Sequence, residues 1–313
     1  MRFLVAVLVL ALGGVAQAQT FPSKTVRFIS GVTPGSASDT MARILAEKLS
    51  ASLGQPVIVE NRLGAGGLVG AKWVATQEPD GHNIMMYASA FTVSTLLNTG
   101  LDPKELAPVA TVATIPTILI TPPGKYKSDK DFVAAAKAQP GKLVCATAGV
   151  GSATHMALER FRFSAGFEVL NVHTKGAGEA LTEVISGRAD CYFALVFQAQ
   201  KMKDSGKVDA YLVSGPKRTS LMPSLPTTEE AGYPGSSYNF WVGTLVAAKT
   251  PRPIVERLAK EINALVQSPE ISDRIIKLGA DPLTLSIAEF QAMIDRELKE
   301  NAELIKKAGI KAN

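Results

Sequence analysis

Two loops in this chain carry the residue types of anion-binding sites. Each consists of an apolar run, small residues, the triplet Gly-Ser-Ala and then a helix-like pattern, over residues 29–42 and 144–157. A strand that ends in such a loop and leads into a helix presents free backbone N–H groups at the positive end of the helix dipole. Two such loops indicate two similar lobes, with a ligand held where the loops face each other.

The second loop offers backbone amides and hydroxyl groups. Gly149 and Gly151 permit a close backbone approach, and either Ser152 or Thr154 can donate a hydroxyl. His155 follows in the first helical turn. It is either a solvent-facing side chain or, if protonated near the ligand, a further contact for a carboxylate.

The first loop has a second role that needs no ligand. Ser36 and Asp39 form the capping pair S-x-x-D, which stabilises a helix start by itself. Capping and anion binding are compatible if the ligand uses amides that the cap leaves free. Asp39 would repel an anion, so we assign it to capping first.

Short β-rich runs alternate with amphipathic helical patterns, such as the one over residues 40–53. This alternation predicts an α/β fold of parallel sheets with crossover helices, whose ligands bind beyond the carboxyl ends of the strands. The predicted strands are 26–29, 57–59, 84–87, 143–146, 169–172, 191–195 and 210–213.

Two extended, β-prone stretches, 108–121 and 239–247, are predicted to run between the lobes. Two crossings make the first lobe discontinuous, because the chain leaves it, forms the second lobe and returns. We therefore expect lobe one to comprise residues 19–113 and 245–313, and lobe two residues 114–244. Hinge residues in the crossings would absorb small backbone changes on closure.

The N-terminus has the pattern of a secretory signal peptide, with a charged start, an apolar run over 3–12 and a small-residue cleavage site. The apolar run is well short of the roughly 20 residues that span a bilayer. Cleavage after Ala18 predicts a periplasmic protein. Cys145 and Cys191 either form a disulfide, which an oxidising compartment permits, or are two buried thiols.

Composition and motifs argue against several functions. At 46% hydrophobic and 19% charged residues the chain is globular, and its net charge of +5 is spread along the sequence, so no nucleic-acid partner is expected. The three histidines are scattered and no catalytic or Cys/His metal motif is present. The glycine-rich run 64–70 has the wrong spacing for dinucleotide binding, so we expect no cofactor.

An ordered set of motifs covers essentially the whole mature chain. It begins with F-P-S-K-T-V-R-F-I, T-P-G-S-A-S-D and G-Q-P-V-I-V-E-N-R-L-G-A-G-G, from residue 21 to residue 67. E-P-D-G-H, P-G-K-L, K-G-A-G-E-A-L, L-P-T-T-E-E-A-G-Y-P-G and L-G-A-D-P follow, the last at 278–282. In this order and spacing the chain resembles the Bug-type receptors, the solute-binding proteins of tripartite tricarboxylate transporters.

The resemblance implies a periplasmic-binding-protein (Venus flytrap) fold, with two α/β lobes, each a mostly parallel sheet flanked by helices, and two crossing strands as hinge. It also implies a small organic carboxylate ligand and no enzymatic activity. We expect ligand contacts from the two matching loops, a third loop and two further positions. The predicted ligand-binding residues are Thr33, Pro34, Gly35, Ser36, Ala37, Ser38, Ser89, Ala90, Phe91, Thr147, Gly149, Val150, Gly151, Ser152, Ala153, Thr154, His155, Lys175 and Ala194.

Departures from the family pattern bear on the ligand. Near Ala194 the family often has an acidic residue, and because an ammonium group needs a carboxylate partner, an amino-acid ligand is not expected. Aromatic residues near strand ends predict apolar pocket walls, which favour an aromatic or medium-chain dicarboxylate. These residues are Phe91, Phe193, Phe197 and Trp241.

These observations predict a monomeric receptor that closes around a small carboxylate and delivers it to the membrane permease subunits of a tripartite tricarboxylate-type transporter. One alternative is a ligand sensor whose output is contact with a signalling partner, and its sequence would look the same. The other is a hydrolase on the same scaffold, which would need a reactive nucleophile with a base beside it.

Overall fold

The computed structural model describes residues 21–98, 100–238 and 240–311. The predicted signal peptide, residues 1–18, lies outside this part of the chain. The strands are β1 (Val26–Ser30), β2 (Val57–Asn61), β3 (Asn83–Ala88), β4 (Leu106–Thr114), β5 (Thr117–Thr121), β6 (Val144–Thr147), β7 (Leu170–His173), β8 (Cys191–Leu195), β9 (Asp209–Ser214), β10 (Trp241–Ala247) and β11 (Asp281–Pro282). The seven predicted strands are confirmed, each to within one residue at its start.

The helices flank two separate sheets. They are α1 (Ala37–Leu53), α2 (Leu68–Ala75), α3 (Ala90–Leu97), α4 (Asp129–Ala138), α5 (Ala153–Ala165), α6 (Ala177–Ile185), α7 (Val196–Asp204), α8 (Arg252–Gln267), α9 (Pro269–Lys277) and α10 (Ile287–Ala308). In the part of the chain that the structure describes, no helix combines the length and the apolar character needed to cross a membrane.

The strands sort into two sheets, which confirms the two-lobe α/β fold. The first sheet has the order β11-β4-β10-β3-β1-β2, and the second has the order β7-β6-β8-β5-β9. β1 is parallel to β2 and β3, and β6 is parallel to β7 and β8. β10 in the first sheet and β5 in the second sheet are antiparallel to their neighbours, and each begins directly after a crossing.

Each sheet buries its own apolar core. On the first sheet, Met41, Leu45 and Leu49 of α1 recur at helical spacing and pack with the strand residues Phe28 and Val246. Three or four residues separate neighbours on one face of a helix, so this spacing places the apolar side chains together. On the second sheet, α4 and α5 cover a separate cluster built on Leu119, Phe132, Phe161, Phe193 and Leu212.

The chain crosses between the sheets at two places. It passes from β4 to β5 over Ile115 and Pro116, and it returns between β9 and β10. The Ile115 amide donates to the Phe240 carbonyl oxygen (2.8 Å), so the two crossings are in contact. The prediction that 239–247 runs between lobes is wrong for Trp241–Ala247, because this segment pairs with β3 and β4 inside the first sheet. The division into residues 19–113 with 245–313 and 114–244 stays a prediction.

Cys145 and Cys191 form a disulfide within the second sheet. They lie directly opposite each other on the parallel strands β6 and β8, with Cα atoms 4.6 Å apart. Of the two alternatives that the sequence leaves open, the structure therefore has the bonded one. The bond ties β6, the strand that leads into the second glycine-rich loop, to its neighbour.

Candidate functional site

The two glycine-rich loops lie at the edges where the sheets meet. β4 runs parallel to β1 and β3, because both β3 and β4 pair antiparallel with β10. β1 therefore ends at the edge from which the chain leaves the first sheet. In the second sheet β5 begins at the opposing edge and is antiparallel to β8, which is parallel to β6, so β6 ends there too. Both loops follow carboxyl ends of strands, where such sheets bind ligands.

The first loop is an exposed turn closed by a helix cap. Thr33, Pro34 and Gly35 are exposed, whereas Ser38 is buried in the first turn of α1. The Ser36 hydroxyl accepts a hydrogen bond from the backbone N–H at the third helical position (3.4 Å), as the capping pattern predicts. The first N–H groups of a helix have no acceptor within it, so the first turn retains amides that an anion can use.

Asp39 acts as an internal anchor rather than a ligand contact. It is fully buried, and its carboxylate accepts hydrogen bonds from the Gly35 amide (2.9 Å), Arg43 Nε (2.9 Å) and Asn61 Nδ2 (2.6 Å). Burial raises the pKa of Asp39, but these donors outweigh it and leave the pKa below its ordinary value. The Gly35 amide is thus already engaged and is not among the amides that the cap leaves free.

Asn61 was not singled out in the sequence, although it holds the first loop in place. Its amide donates to the Val32 carbonyl oxygen (3.0 Å) as well as to Asp39. It lies at the carboxyl end of β2, next to the end of β1. The sequence signal for this role is a polar residue at the end of a predicted strand that neighbours the strand before the loop.

The second loop is held by its own side chains. The Thr154 hydroxyl accepts from the Ala148 amide (2.9 Å) and lies 3.0 Å from the Ser152 hydroxyl. Ser152 Oγ also caps α5 by accepting from the His155 backbone N–H (3.3 Å). Thr154 is buried and Ser152 only partly so. Of the two hydroxyls that the sequence proposes as donors, Ser152 is the better placed.

His155 is neither a solvent-facing side chain nor a charged ligand contact, which corrects both sequence alternatives. Its side chain is buried, with the residue 2% exposed, and Nδ1 accepts a hydrogen bond from the Gly151 amide (3.1 Å). Its ring packs edge-on against His173, with centroids 4.6 Å apart, and Nε2 lies 3.8 Å from Glu159 Oε1. Burial lowers the pKa of His155 to about 4, so the ring is neutral and shapes the loop.

Stability should therefore depend on the pH through His155. Below about pH 6.5 the unfolded chain binds a proton that the folded ring rejects down to about pH 4. The free energy of unfolding should therefore be unaffected by His155 above about pH 6.5. It should fall by on the order of 3 kcal/mol as the pH is lowered from there to about 4. We expect His155→Asn, which keeps an acceptor for the Gly151 amide, to flatten this part of the curve of melting temperature against pH. Parallel curves for the variant and the wild type would contradict the assignment.

The third predicted loop faces the hinge instead of an open cleft. Ser89 is fully buried, and its hydroxyl lies 3.0 Å from the Tyr238 hydroxyl. Phe91 is 1% exposed and packs against Tyr87 in a further core cluster of the first lobe, with ring centroids 5.3 Å apart. Ala90, at the start of α3, is half-buried. Both side chains are buried in this arrangement, and their contact with a ligand stays a prediction.

The remaining predicted contacts divide by exposure. The Thr147 hydroxyl is buried and lies 2.7 Å from His173 Nδ1, and Ala194 is fully buried within β8. Gly149, Val150 and the exposed Lys175 remain accessible, whereas Ala153 is buried in the first turn of α5. Together with the first turn, Gly149 and Val150 of the second turn are therefore the accessible part of the predicted glycine-rich loops, whereas Gly151 is buried.

The predicted aromatic walls are mostly core. Phe193 and Trp241 are fully buried, like Phe91. Phe197, at the start of α7, is 39% exposed and packs against Gly279, where an added Cβ would lie 2.6 Å from the Phe197 Cβ. Only Phe197 among the four therefore presents aromatic surface. In the described part of the chain, no group of three or more His, Cys, Asp or Glu could hold a metal ion.

Known proteins are similar to this chain in sequence and fold. Residues 41–310 match the family described as the tripartite tricarboxylate transporter family receptor. Protein BugT of Bordetella pertussis is 30% identical over 314 residues, which cover 96% of this chain and 95% of BugT. A solved Rhodopseudomonas palustris structure with adipate has 26% identity and a TM-score of 0.79, covering 93% of this chain and 99% of that one. MatC from Rhodopseudomonas palustris with bound malate has 26% identity and a TM-score of 0.75, covering 91% and 100%.

The chain belongs to the tripartite tricarboxylate transporter receptor family. The resemblance to Bug-type receptors is thereby confirmed, as is the two-lobe fold. Proteins of this family and fold are periplasmic binding proteins rather than enzymes.

Proposed function

We propose that this chain is a monomeric periplasmic receptor that closes around a small organic carboxylate and delivers it to a tripartite tricarboxylate-type permease. The observation that carries the proposal is the placement of two glycine-rich helix starts at the facing edges of two sheets. One ligand between them would contact both lobes. A ligand shifts a conformational equilibrium only by its differential affinity for the two states, and contacts to both lobes supply that difference.

The binding free energy available at a helix start favours a ligand with two carboxylate groups over a ligand with one. A single charge at a helix N-terminus contributes about 0.3–2 kcal/mol, which would not hold a small solute tightly. Two helix starts acting on one molecule, together with the exclusion of water on closure, provide more binding free energy. We therefore propose a dicarboxylate with one carboxylate at the first loop and the other at the second. The ligands of the two similar structures, adipate and malate, are both dicarboxylates and support this class.

The side chains around the loops support an anion without an ammonium group. Asp39 is already paired with Arg43 and Asn61, and the apolar Ala194 lies near the position where the family resemblance implies an acidic residue. Neither position offers a free carboxylate to an ammonium group. We therefore propose a plain or hydroxylated dicarboxylate rather than an amino acid.

The hydrolase alternative is not favoured. Ser152 is the accessible hydroxyl of the second loop, but the nearby His155 ring uses Nδ1 to accept the Gly151 amide. The Ser152 hydroxyl contacts the backbone N–H of His155 and the Thr154 hydroxyl, but not the imidazole ring. A serine nucleophile needs a base within hydrogen-bond reach of its hydroxyl, and His155 does not act as one in this arrangement.

A thermal-shift screen tests the proposal. The mature chain is heated with mono-, di- and tricarboxylates, and with sugars and cations as controls. A ligand at 1,000 times its dissociation constant adds about 4 kcal/mol of stability, which gives a readily measured rise in melting temperature. We expect the largest shift from a dicarboxylate. A shift from a sugar or a cation, with none from any carboxylate, would reject the anion-binding function.

A further inference from the structure

A polar network joins the two lobes on the side of α5 and α10. Arg160 of α5, which covers the second sheet, donates from Nη1 to Glu300 Oε2 (2.9 Å) and from Nη2 to Asn301 Oδ1 (3.0 Å). Glu300 and Asn301 both belong to α10, whose first half packs on the first sheet, whereas Leu304 further along packs in the core of the second lobe. Nη1 also donates to the carbonyl oxygen of Ser237 in the return crossing (3.0 Å). One guanidinium thus binds both lobes and the segment between them.

The network continues into α3. Asn301 Nδ2 donates to the Thr92 hydroxyl (2.9 Å), and Thr92 donates to the carbonyl oxygen of Ser89 at the start of that helix (2.9 Å). Ser89 in turn lies 3.0 Å from the hydroxyl of Tyr238, which is part of the return crossing. The start of α3 is therefore fixed both through Asn301 and through the crossing.

A buried acid completes the network. Glu297 of α10 accepts a hydrogen bond from Trp241 Nε1 (2.9 Å) at the start of β10, and it lies 3.4 Å from the Thr92 hydroxyl. Glu297 and Trp241 are both buried. Buried polar groups with all their partners in place specify one arrangement of the elements that carry them.

Val93 and Leu97 of α3 contact the second glycine-rich loop. A Cβ added at Gly151 would lie 3.1 Å from Val93 Cγ1 and 3.4 Å from Leu97 Cδ1, so α3 packs directly on this loop. Val93 also belongs to the core cluster of the second lobe, although α3 follows β3 of the first sheet. A shift of α3 would therefore move the first lobe relative to the second ligand loop.

The strength of these contacts follows from burial. Exposed ion pairs contribute little, but the Arg160 side chain is only 13% exposed and donates three hydrogen bonds to fixed partners. Charge-assisted bonds are about twice as strong as neutral ones. Loss of the partners would leave a largely buried guanidinium unpaired, which is costly.

We propose that Arg160 is a positioning residue that sets the angle between the two lobes. Through Glu300 and Asn301 it fixes α10 and α3 against α5, and so holds the two ligand loops at the separation seen here. The proposal rests on the proposed function only in one respect, namely that the separation of the two loops serves to bind a carboxylate. The lobe arrangement itself is measured without ligand, so a failure of carboxylate binding leaves this test intact.

Distances between the lobes, measured by double electron–electron resonance between two spin labels, test the proposal. Spin labels are placed at Ala51→Cys on α1 and Lys137→Cys on α4, both exposed positions. The native cysteines are engaged in the disulfide and leave the labels site-specific. We expect Arg160→Ala to shift or broaden the distance distribution of the ligand-free protein. Arg188→Ala, which breaks an exposed ion pair to Glu183 within the second lobe, is the matched control and should leave it unchanged.

A second variant keeps the test decisive if Arg160→Ala does not fold. Glu300→Ala removes one partner of Arg160 from a side chain that is 43% exposed, so folding should be preserved. The same shift is expected from it, to a smaller extent. An unchanged distribution in the folded Arg160 variant, or in Glu300→Ala where that variant has to replace it, would overturn the proposal. A lower melting temperature with an unchanged distribution would assign Arg160 a purely structural role and would also overturn it.

Discussion

Gly151→Asp is expected to abolish carboxylate binding. Gly151 has a φ of +71°, and an added Cβ would meet Val93 and Leu97 of α3 at 3.1 and 3.4 Å. The larger side chain would push α3 away from the second loop, and its charge would repel an anion at the same place. We expect at least a 100-fold loss of affinity, corresponding to about 2.7 kcal/mol, measured by isothermal titration with the carboxylate that gives the largest thermal shift.

A matched control separates this effect from backbone strain. Gly141 has the same φ of +71°, but an added Cβ there would have no neighbour within 4 Å. It lies in a turn before β6, at the end of the strand away from the second loop. Gly141→Asp carries the same strain and the same charge, and binding should persist. Near-normal binding by Gly151→Asp, or an equal loss in both variants, would remove the second loop from the site.

Removal of the disulfide is expected to lower stability strongly. The bond joins residues 46 positions apart, and the chain-entropy relation gives a loss of about 4 kcal/mol in the free energy of unfolding for a loop of this size. Both cysteines are fully buried, so the Cys145→Ala/Cys191→Ala variant also loses packing within the second sheet. Chemical denaturation with guanidinium, followed by circular dichroism, measures the change.

The reducing agent dithiothreitol provides the control for that experiment. It should destabilise the wild type once the bond is reduced, and it should have no effect on the double alanine variant. Equal denaturation midpoints for the oxidised wild type and the double variant would show that the bond contributes nothing to the stability of the second lobe.

The strands and the two glycine-rich loops were predictable because their signals are local. Short β-rich runs identify β1 and β6, and the S-x-x-D pattern identifies the cap at Ser36, all within a few consecutive residues. The second loop similarly carries its own capping serine, Ser152. In each of these cases the residues that determine the structure are neighbours in the sequence.

The side-chain positions that the sequence did not anticipate depend on partners far away along the chain. Ser89 is turned toward the hinge by Tyr238, which is 149 residues distant. His155 is buried against His173, and a solvent-facing position on a helix cannot be told from a buried one until that strand is placed. The Arg160 network was not anticipated either, because Glu300 and Asn301 lie about 140 residues further along a helix whose own pattern shows only an amphipathic surface.

The crossing at 239–247 shows a different difficulty. Its β-prone sequence correctly indicates a strand, β10, but not which sheet the strand joins. Pairing is decided by β3 and β4, which together enclose β10 and bury every residue of it. A strand buried on both faces reads as a continuous apolar run wherever it lies.

A crystal structure of the mature chain with its tightest-binding dicarboxylate would show whether both loops bind the same ligand. We expect one ligand between the two sheets, with one carboxylate at the helix start that Ser36 caps and the other at the helix start that Ser152 caps. Carboxylate oxygens within hydrogen-bond distance of backbone amides in both turns would support it. A ligand that contacts only one lobe, or one bound away from both turns, would contradict it.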